Sequence, residues 1–121
     1  MINQNCRGLI CLISSTGSSG TEGQINYSST KAAISVMPKA VTAESFRRRL
    51  ADKIRCAAAA PGYVGRDMVK KHEPEITDEI PIGRLAESEE VAMLVGDLYR
   101  NESMTGDVYF VHGGLRLGSK G

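Results

Sequence analysis

A chain of 121 residues has room for one domain with a modest core, and not for two. Hydrophobic residues at 41% and charged residues at 24% are ordinary for a globular protein in water, and a net charge of +1 gives no electrostatic case for a polyanionic partner. Aromatic content of 5% without a Trp argues against a stacking platform for nucleic acid.

Gly8 to Ile13 is a continuous apolar run stopped by Ser14-Ser15-Thr16-Gly17, the pattern of a central parallel strand buried on both faces. Its apolar part is too short for a signal segment or a membrane span, so a soluble, cytoplasmic chain with no membrane partner is expected. Residues 18–23 are rich in Gly, Ser and Thr and read as a loop. From Gln24 to Leu50 the chain reads as a long helix, with Ala32, Ala33, Val36, Met37, Ala40, Val41 and Ala43 as its apolar face. Pro38 lies inside that helix, lacks a backbone donor and predicts a kink or an early break. Arg47-Arg48-Arg49 fans around the axis and reads as solvated surface.

Lys53 to Ala60 is the second strand, although its four alanines suit strand and helix equally; Pro61-Gly62 ends it. Residues 63–80 are polar and irregular, with a short helix expected near Asp67 to His72, and suit a lid over a site. A helix capped by Ser88, with acidic residues in its first turn, is predicted to run to Tyr99. Asp107 to Val111 is the third strand, stopped by Gly113-Gly114. Strand, helix, strand, lid, helix, strand is an α/β order with a parallel sheet. Cys6, Cys11 and Cys56 have no metal-ligand spacing, and His72 and His112 have no second ligand nearby; reduced core thiols and no metal site are expected.

The chemistry is concentrated in Tyr27-Ser28-Ser29-Thr30-Lys31. Residues four apart share a helix face, so the phenol and the ammonium can enter one pocket. A positive charge beside a phenol favours the phenolate and draws proton transfer toward neutral pH. Ser14 lies at the end of the first strand, where a hydroxyl can hold a carbonyl oxygen for protonation. Three such groups make a proton-transfer site for a carbonyl/alcohol couple.

These residues carry a family resemblance. Ser14 to Gly17 followed by Gly23-Gln24-Ile25-Asn26-Tyr27-Ser28-Ser29-Thr30-Lys31-Ala32-Ala33 resembles the active-site segment of the short-chain dehydrogenase/reductases. Ala60-Pro61-Gly62-Tyr63-Val64, Ile80 to Leu85, Glu89-Glu90-Val91-Ala92, Thr105 to Val108 and Gly113-Gly114 resemble later segments of that family, in order. The 3-oxoacyl-[acyl-carrier-protein] reductase-like enzymes are the nearest subgroup in pattern. The resemblance implies the C-terminal half of a Rossmann-type, doubly wound parallel sheet: three strands with flanking helices, the catalytic and substrate part of one domain over residues 1–121. It implies an NAD(P)-dependent oxidoreductase interconverting a ketone and a secondary alcohol. Tyr27 would be the general acid or base, Lys31 its activator and a ribose ligand, and Ser14 (or Ser15, if the strand end is shifted by one) the group orienting the carbonyl. Pro61, Gly62 and Val64 would shape the nicotinamide pocket.

The same comparison places the dinucleotide phosphate-binding half outside this chain. No Gly-rich phosphate loop follows a strand, and the residue that selects NAD or NADP is missing, as is the helix Asn of the family's tetrad, for which Asn3 and Asn5 lie too close to the strand. Arg66 stands where a Thr usually contacts the cofactor, and an Arg there could pair with a phosphate instead. Ala57 and His112 replace a frequent Asn and Asp. An open strand edge would favour a homo-oligomer or association with full-length subunits, and a catalytically silent remnant in such an assembly is the alternative reading.

Overall fold

The computed structural model describes residues 3–65 and 73–115. Three strands form one parallel sheet in the order β1 (Gly8–Ile13), β2 (Ile54–Pro61), β3 (Val108–Val111). Between them run a 3-10 turn at Thr16–Ser19, α1 (Ile25–Arg47), α2 (Glu73–Thr77) and α3 (Ser88–Arg100). The α/β order expected from the sequence is the observed one. The expected helix at 67–72 lies outside the described residues.

The alanine run is a strand. Cys56, Ala57, Ala58, Ala59 and Ala60 are completely buried in the centre of the sheet, where side chains without bulk let helices approach both faces. Gly8 pairs with Ile54 and Ile13 with Ala59, so β1 and β2 end together on one side of the molecule. On one face Ala57, Ala59 and Leu98 form the core, with Leu9, Cys11, Leu94, Val95, Met104 and Tyr109 packed on it. Burial pushes the Cys11 and Cys56 thiols up, as befits inert core groups.

Helix α3 packs on this face through Leu98, which is buried, while Met93 and Tyr99 are exposed. Its cap differs from expectation. Glu87, one residue earlier than Ser88, is the N-cap, because Glu87 and Glu90 each accept the other's backbone N–H in a capping box. At the far end Arg55 satisfies the orphan carbonyls. Its guanidinium donates to the carbonyls of Leu98 (2.8 Å), Tyr99 (2.9 Å), Asn101 (3.2 Å) and Met104 (3.1 Å).

Helix α1 departs further from its sequence pattern. It continues through Pro38, which is fully buried, so the early break does not occur. The side turned to the sheet carries Ser35, Pro38, Thr42 and Ser45, while Ala33, Val36, Met37, Ala40 and Ala43 are exposed. Small hydroxyl residues fit closely over the alanine strand, and their polar atoms are paired: Thr42 shares a hydrogen bond with Thr105, and Ser35 with Ser14. The helix ends in a left-handed Arg49 (φ 59), with Leu50 N–H donating to Ser45 O and Arg49 N–H to Phe46 O. Arg47 and Arg48 both pair with Glu44 on the exposed surface.

Candidate active site

Tyr27 and Lys31 stand on the first two turns of α1, over the carboxyl end of β1. The Lys31 ammonium lies 5.7 Å from the centroid of the Tyr27 ring, within cation–π range, and donates to the Ile13 carbonyl at 2.9 Å. That carbonyl belongs to the last residue of β1 and anchors the ammonium at the sheet's end. The Tyr27 ring is 45% exposed and open to a ligand from the solvent side.

Gly17 supports the ring from below. A Cβ placed on Gly17 would lie 3.0 Å from Tyr27 Cε1, 3.3 Å from Thr21 Oγ1 and 3.4 Å from Ser15 Oγ. Two hydroxyls and the phenol edge therefore converge on a single methylene. Sequence reasoning missed Thr21 and the role of Gly17, since neither residue type signals chemistry by itself.

Ser14 is turned away from this convergence. Its side chain is buried, donates to the Lys31 carbonyl at 3.2 Å and lies 2.5 Å from Ser35 Oγ. Ser15 is the N-cap of the 3-10 turn, extended (φ −162, ψ 156), and its hydroxyl accepts from Gly17 N–H at 3.1 Å.

Pro61 ends β2 and pairs with Val111, and Gly62 N–H donates to the Val111 carbonyl at 2.8 Å. Only glycine fits next: a Cβ on Gly62 would stand 2.9 Å from His112 Cβ. His112 is fixed by its Nδ1, which accepts from Gly114 N–H at 3.0 Å, and by a tilted contact with Phe110. Val64 forms a parallel bridge to Ala86 that draws this segment toward the start of α3. The structure thus brings Ser15, Tyr27, Lys31 and the Pro61–Val64 turn to the carboxyl ends of neighbouring parallel strands, where open α/β sheets bind ligands. Arg66 lies outside the described residues.

Other chemistry is scarce. A cleft of about 410 Å³ lies at the opposite, amino-terminal end of β1 and β2, among Arg7, Lys53, Arg55, Tyr99 and Arg100. Its cations are occupied: Arg7 by Glu102, Arg100 by Asp97 and Arg55 by helix carbonyls. Among the described residues no group of three or more His, Cys, Asp or Glu could hold a metal ion, and no helix is long and apolar enough to cross a membrane.

A family profile described as enoyl-(acyl carrier protein) reductase matches residues 1–116. The chain belongs to the short-chain dehydrogenase/reductase family. Similar relatives include a 3-oxoacyl-[acyl-carrier-protein] reductase from Aggregatibacter actinomycetemcomitans, 37% identical over 111 residues that make up 88% of this chain and 44% of the relative. A human 3-oxoacyl-[acyl-carrier-protein] reductase is 36% identical over 118 residues, 97% of this chain and 48% of the relative. Among solved structures, acetoin dehydrogenase from Salmonella typhimurium superposes with a TM-score of 0.79 at 28% identity, over 98% of this chain and 47% of that one. The chain therefore spans about half the length of the curated dehydrogenase/reductases it matches. Its three-stranded sheet and flanking helices are part of their Rossmann-type fold.

Proposed function

We propose that this chain is the catalytic and substrate half of an NAD(P)-dependent oxidoreductase that interconverts a ketone and a secondary alcohol. The observation that carries the reading is the Lys31 ammonium held 5.7 Å over the Tyr27 ring by a strand-end carbonyl. It puts a positive charge beside an accessible phenol at the edge of the sheet where ligands bind.

The residues present fit the nicotinamide end of such a cofactor. Lys31 offers donors for a ribose, and the Pro61–Gly62 turn is free of side-chain bulk where His112 closes in. Val64 and Gly62 complete the cofactor-facing set in this reading, Arg66 is added to it on the resemblance alone, and either NAD or NADP is compatible with it. No Gly-rich turn in this sequence would cradle the phosphates, so those contacts come from elsewhere in the working enzyme.

A bound reduced nicotinamide supplies the hydride. Tyr27 gives its phenolic proton to the carbonyl oxygen as the carbonyl π pair moves onto that oxygen. Lys31 stabilises the phenolate left behind, and a serine hydroxyl at the end of β1 holds the oxygen in place by a hydrogen bond. The reverse reaction uses the phenolate as base. We further assign the protein to the cytoplasm, in an assembly with copies of itself or with full-length subunits through the apolar outer face of α1.

Replacing Tyr27 by Phe removes the proton and keeps the ring. Ketone-dependent oxidation of NAD(P)H, tried with acetoacetyl-type substrates, should fall by a factor of about 10² to 10⁴. Equal rates for Tyr27→Phe and the parent would dismiss the phenol from the reaction. The exposed apolar side of α1 favours a second reading, a silent subunit that binds full-length partners. Co-purification with such partners, together with no loss of their turnover when Tyr27 is changed, would select it.

A further inference from the structure

We infer that His112 is a proton-sensitive positioning residue: neutral, it clasps the turn that seats the Pro61–Gly62 corner, and protonated, it releases that turn. The clasp stands on hydrogen bonds and packing. Only its consequence for a nicotinamide rests on the oxidoreductase reading above.

His112 is the first residue beyond the β2–β3 ladder, where Pro61 pairs with Val111 and Gly62 N–H donates to the Val111 carbonyl. Its own carbonyl accepts from Leu115 N–H at 3.0 Å and closes a four-residue turn through Gly113 (φ 59) and Gly114 (φ 86). Two successive glycines leave the backbone free to open as well as to close, so a side chain must fix it. The His112 ring does so through Nδ1, which accepts from Gly114 N–H at 3.0 Å.

The turn is wedged between two segments. On one side, a Cβ on Gly62 would stand 2.9 Å from His112 Cβ and 3.5 Å from Leu115 Cδ2. On the other, a Cβ on Gly113 would stand 2.6 Å from Ile82 Cγ1, and one on Gly114 3.0 Å from Pro81 Cβ. The Gly113 carbonyl also accepts from Ile82 N–H at 3.2 Å. Displacing the turn therefore disturbs the Pro61–Gly62 corner and the 80–82 segment together.

An imidazole that accepts at Nδ1 is neutral and carries its proton on Nε2. The imidazolium has a hydrogen on both nitrogens, so its Nδ1–H would meet Gly114 N–H, donor against donor. Histidine is the side chain that ordinarily changes charge between about pH 5 and 8. The Asp that His112 replaces would keep its acceptor through that range. The exchange turns a fixed contact into a titratable one.

The ring's contacts with Gly62, Phe110 and Gly114 bring no charge to it. Among the described residues, the ionisable groups on the elements around it are Asp107 and Tyr109 at β3, Tyr63 beyond Gly62, and Glu79 and Arg84 flanking 80–82. Arg55 and Cys56 lie at the far end of β2, and Arg84 is committed to Glu90. A variant that changes His112 and leaves these groups in place separates its titration from theirs.

The test compares the parent with His112→Asn and His112→Ala in the full chain between pH 8 and 5. Asn offers an amide oxygen to the N–H two residues on at every pH, and Ala offers nothing. Ring ¹⁵N shifts of the parent at pH 8 should place the proton on Nε2. On acidification, Gly114 amide exchange in the parent should accelerate by a factor of about 5 to 10 relative to His112→Asn, the worth of one hydrogen bond. In His112→Ala it should be fast throughout. The parent's melting temperature should fall over the same range relative to His112→Asn, because the unfolded chain takes up the proton that the clasped fold refuses. Affinity for NADH or NADPH should match that of His112→Asn at pH 8 and be about fivefold weaker at the acid end.

The inference is overturned if Gly114 exchange in the parent follows that of His112→Asn across the range, or if the ring proton sits on Nδ1 at pH 8. Should His112→Ala fail to fold, the parent and His112→Asn decide alone. Cofactor affinity that ignores the titration while Gly114 follows it would overturn the positioning role. No cofactor binding by either chain at any pH counts against the oxidoreductase reading, and the Gly114 amide still decides the clasp.

Discussion

Gly17 shows how little space separates structure from chemistry in this site. Its missing side chain is what lets the Tyr27 ring lie against the loop, since a Cβ would come within 3.0 Å of Cε1. The ring is half exposed and can yield outward, so the strain of Gly17→Ala goes into displacement of the phenol more than into unfolding. Kinetic measurement on Gly17→Ala should show kcat/KM reduced by about tenfold or more, because small misplacement of a reacting group is costly. Its melting temperature should stay near the parent's; a large drop with normal kinetics would show that the ring does not use this support. Tyr27 and Lys31 were readable from sequence because four-residue spacing on a helix fixes a shared face whatever the tertiary context. The serine was not. Which face a strand-end side chain takes depends on the residue at which pairing stops and on a partner, Ser35, that lies 21 residues away.

At the level of elements, what the sequence revealed followed where the packing signal was strong. Helix α3 has large apolar residues on one side and was legible almost to the residue. Its cap was misplaced by one because Ser88 and Glu87 both suit the position, and the deciding contact is the reciprocal bond with Glu90. Helix α1 was legible in extent but not in orientation, because alanine and valine promise burial and serine and threonine do not. Over the alanine floor α1 reverses that preference, laying Ser35, Thr42 and Ser45 toward the sheet while Val36, Ala40 and Ala43 stay exposed.

Glu90 allows a pH test of the α3 start. Arg84 binds it through two nitrogens at 2.9 and 2.7 Å, and with the Glu87 N–H this holds its carboxyl down to about 2. A carboxylate with a depressed native value contributes stability above its ordinary range, and that contribution is lost as pH falls through the native value. Glu90→Gln keeps an acceptor for the capping box and removes the charge. Thermal melts should therefore show the parent more stable than Glu90→Gln above pH 4.5, with the gap closing as pH falls toward 2. A gap independent of pH over that range would mean that the ion pair contributes nothing. Salt should shrink the gap at neutral pH, as both groups are partly solvated.

Over the molecule as a whole, the described residues leave two surfaces uncovered. Strand β1 pairs only on its β2 side within the described sheet. Along α1, Ile25 is 81% exposed and Val36 65%, and with Ala40 and Ala43 they recur at helical spacing on the face opposite the sheet. Single exposed apolar residues are unremarkable, but a stripe of them along a 23-residue helix is the face on which the proposed assembly would form. Such a stripe also explains the helix's composition. In the proposed assembly both of its sides are in demand, the small hydroxyl side by the alanine sheet and the apolar side by a second body. Tyr27 and Lys31 stand on this same helix, so its alignment bears on the site as well as on association. A second copy is the partner proposed here. Sedimentation of the chain should show a species larger than a monomer, and Val36→Glu with Ala40→Glu should convert it to monomer by placing two carboxylates inside the contact. Both substitutions point away from the sheet, so the secondary structure seen by circular dichroism should be retained. A parent chain that sediments as a monomer at all concentrations would remove this face from the argument and leave the composition of α1 without its second cause.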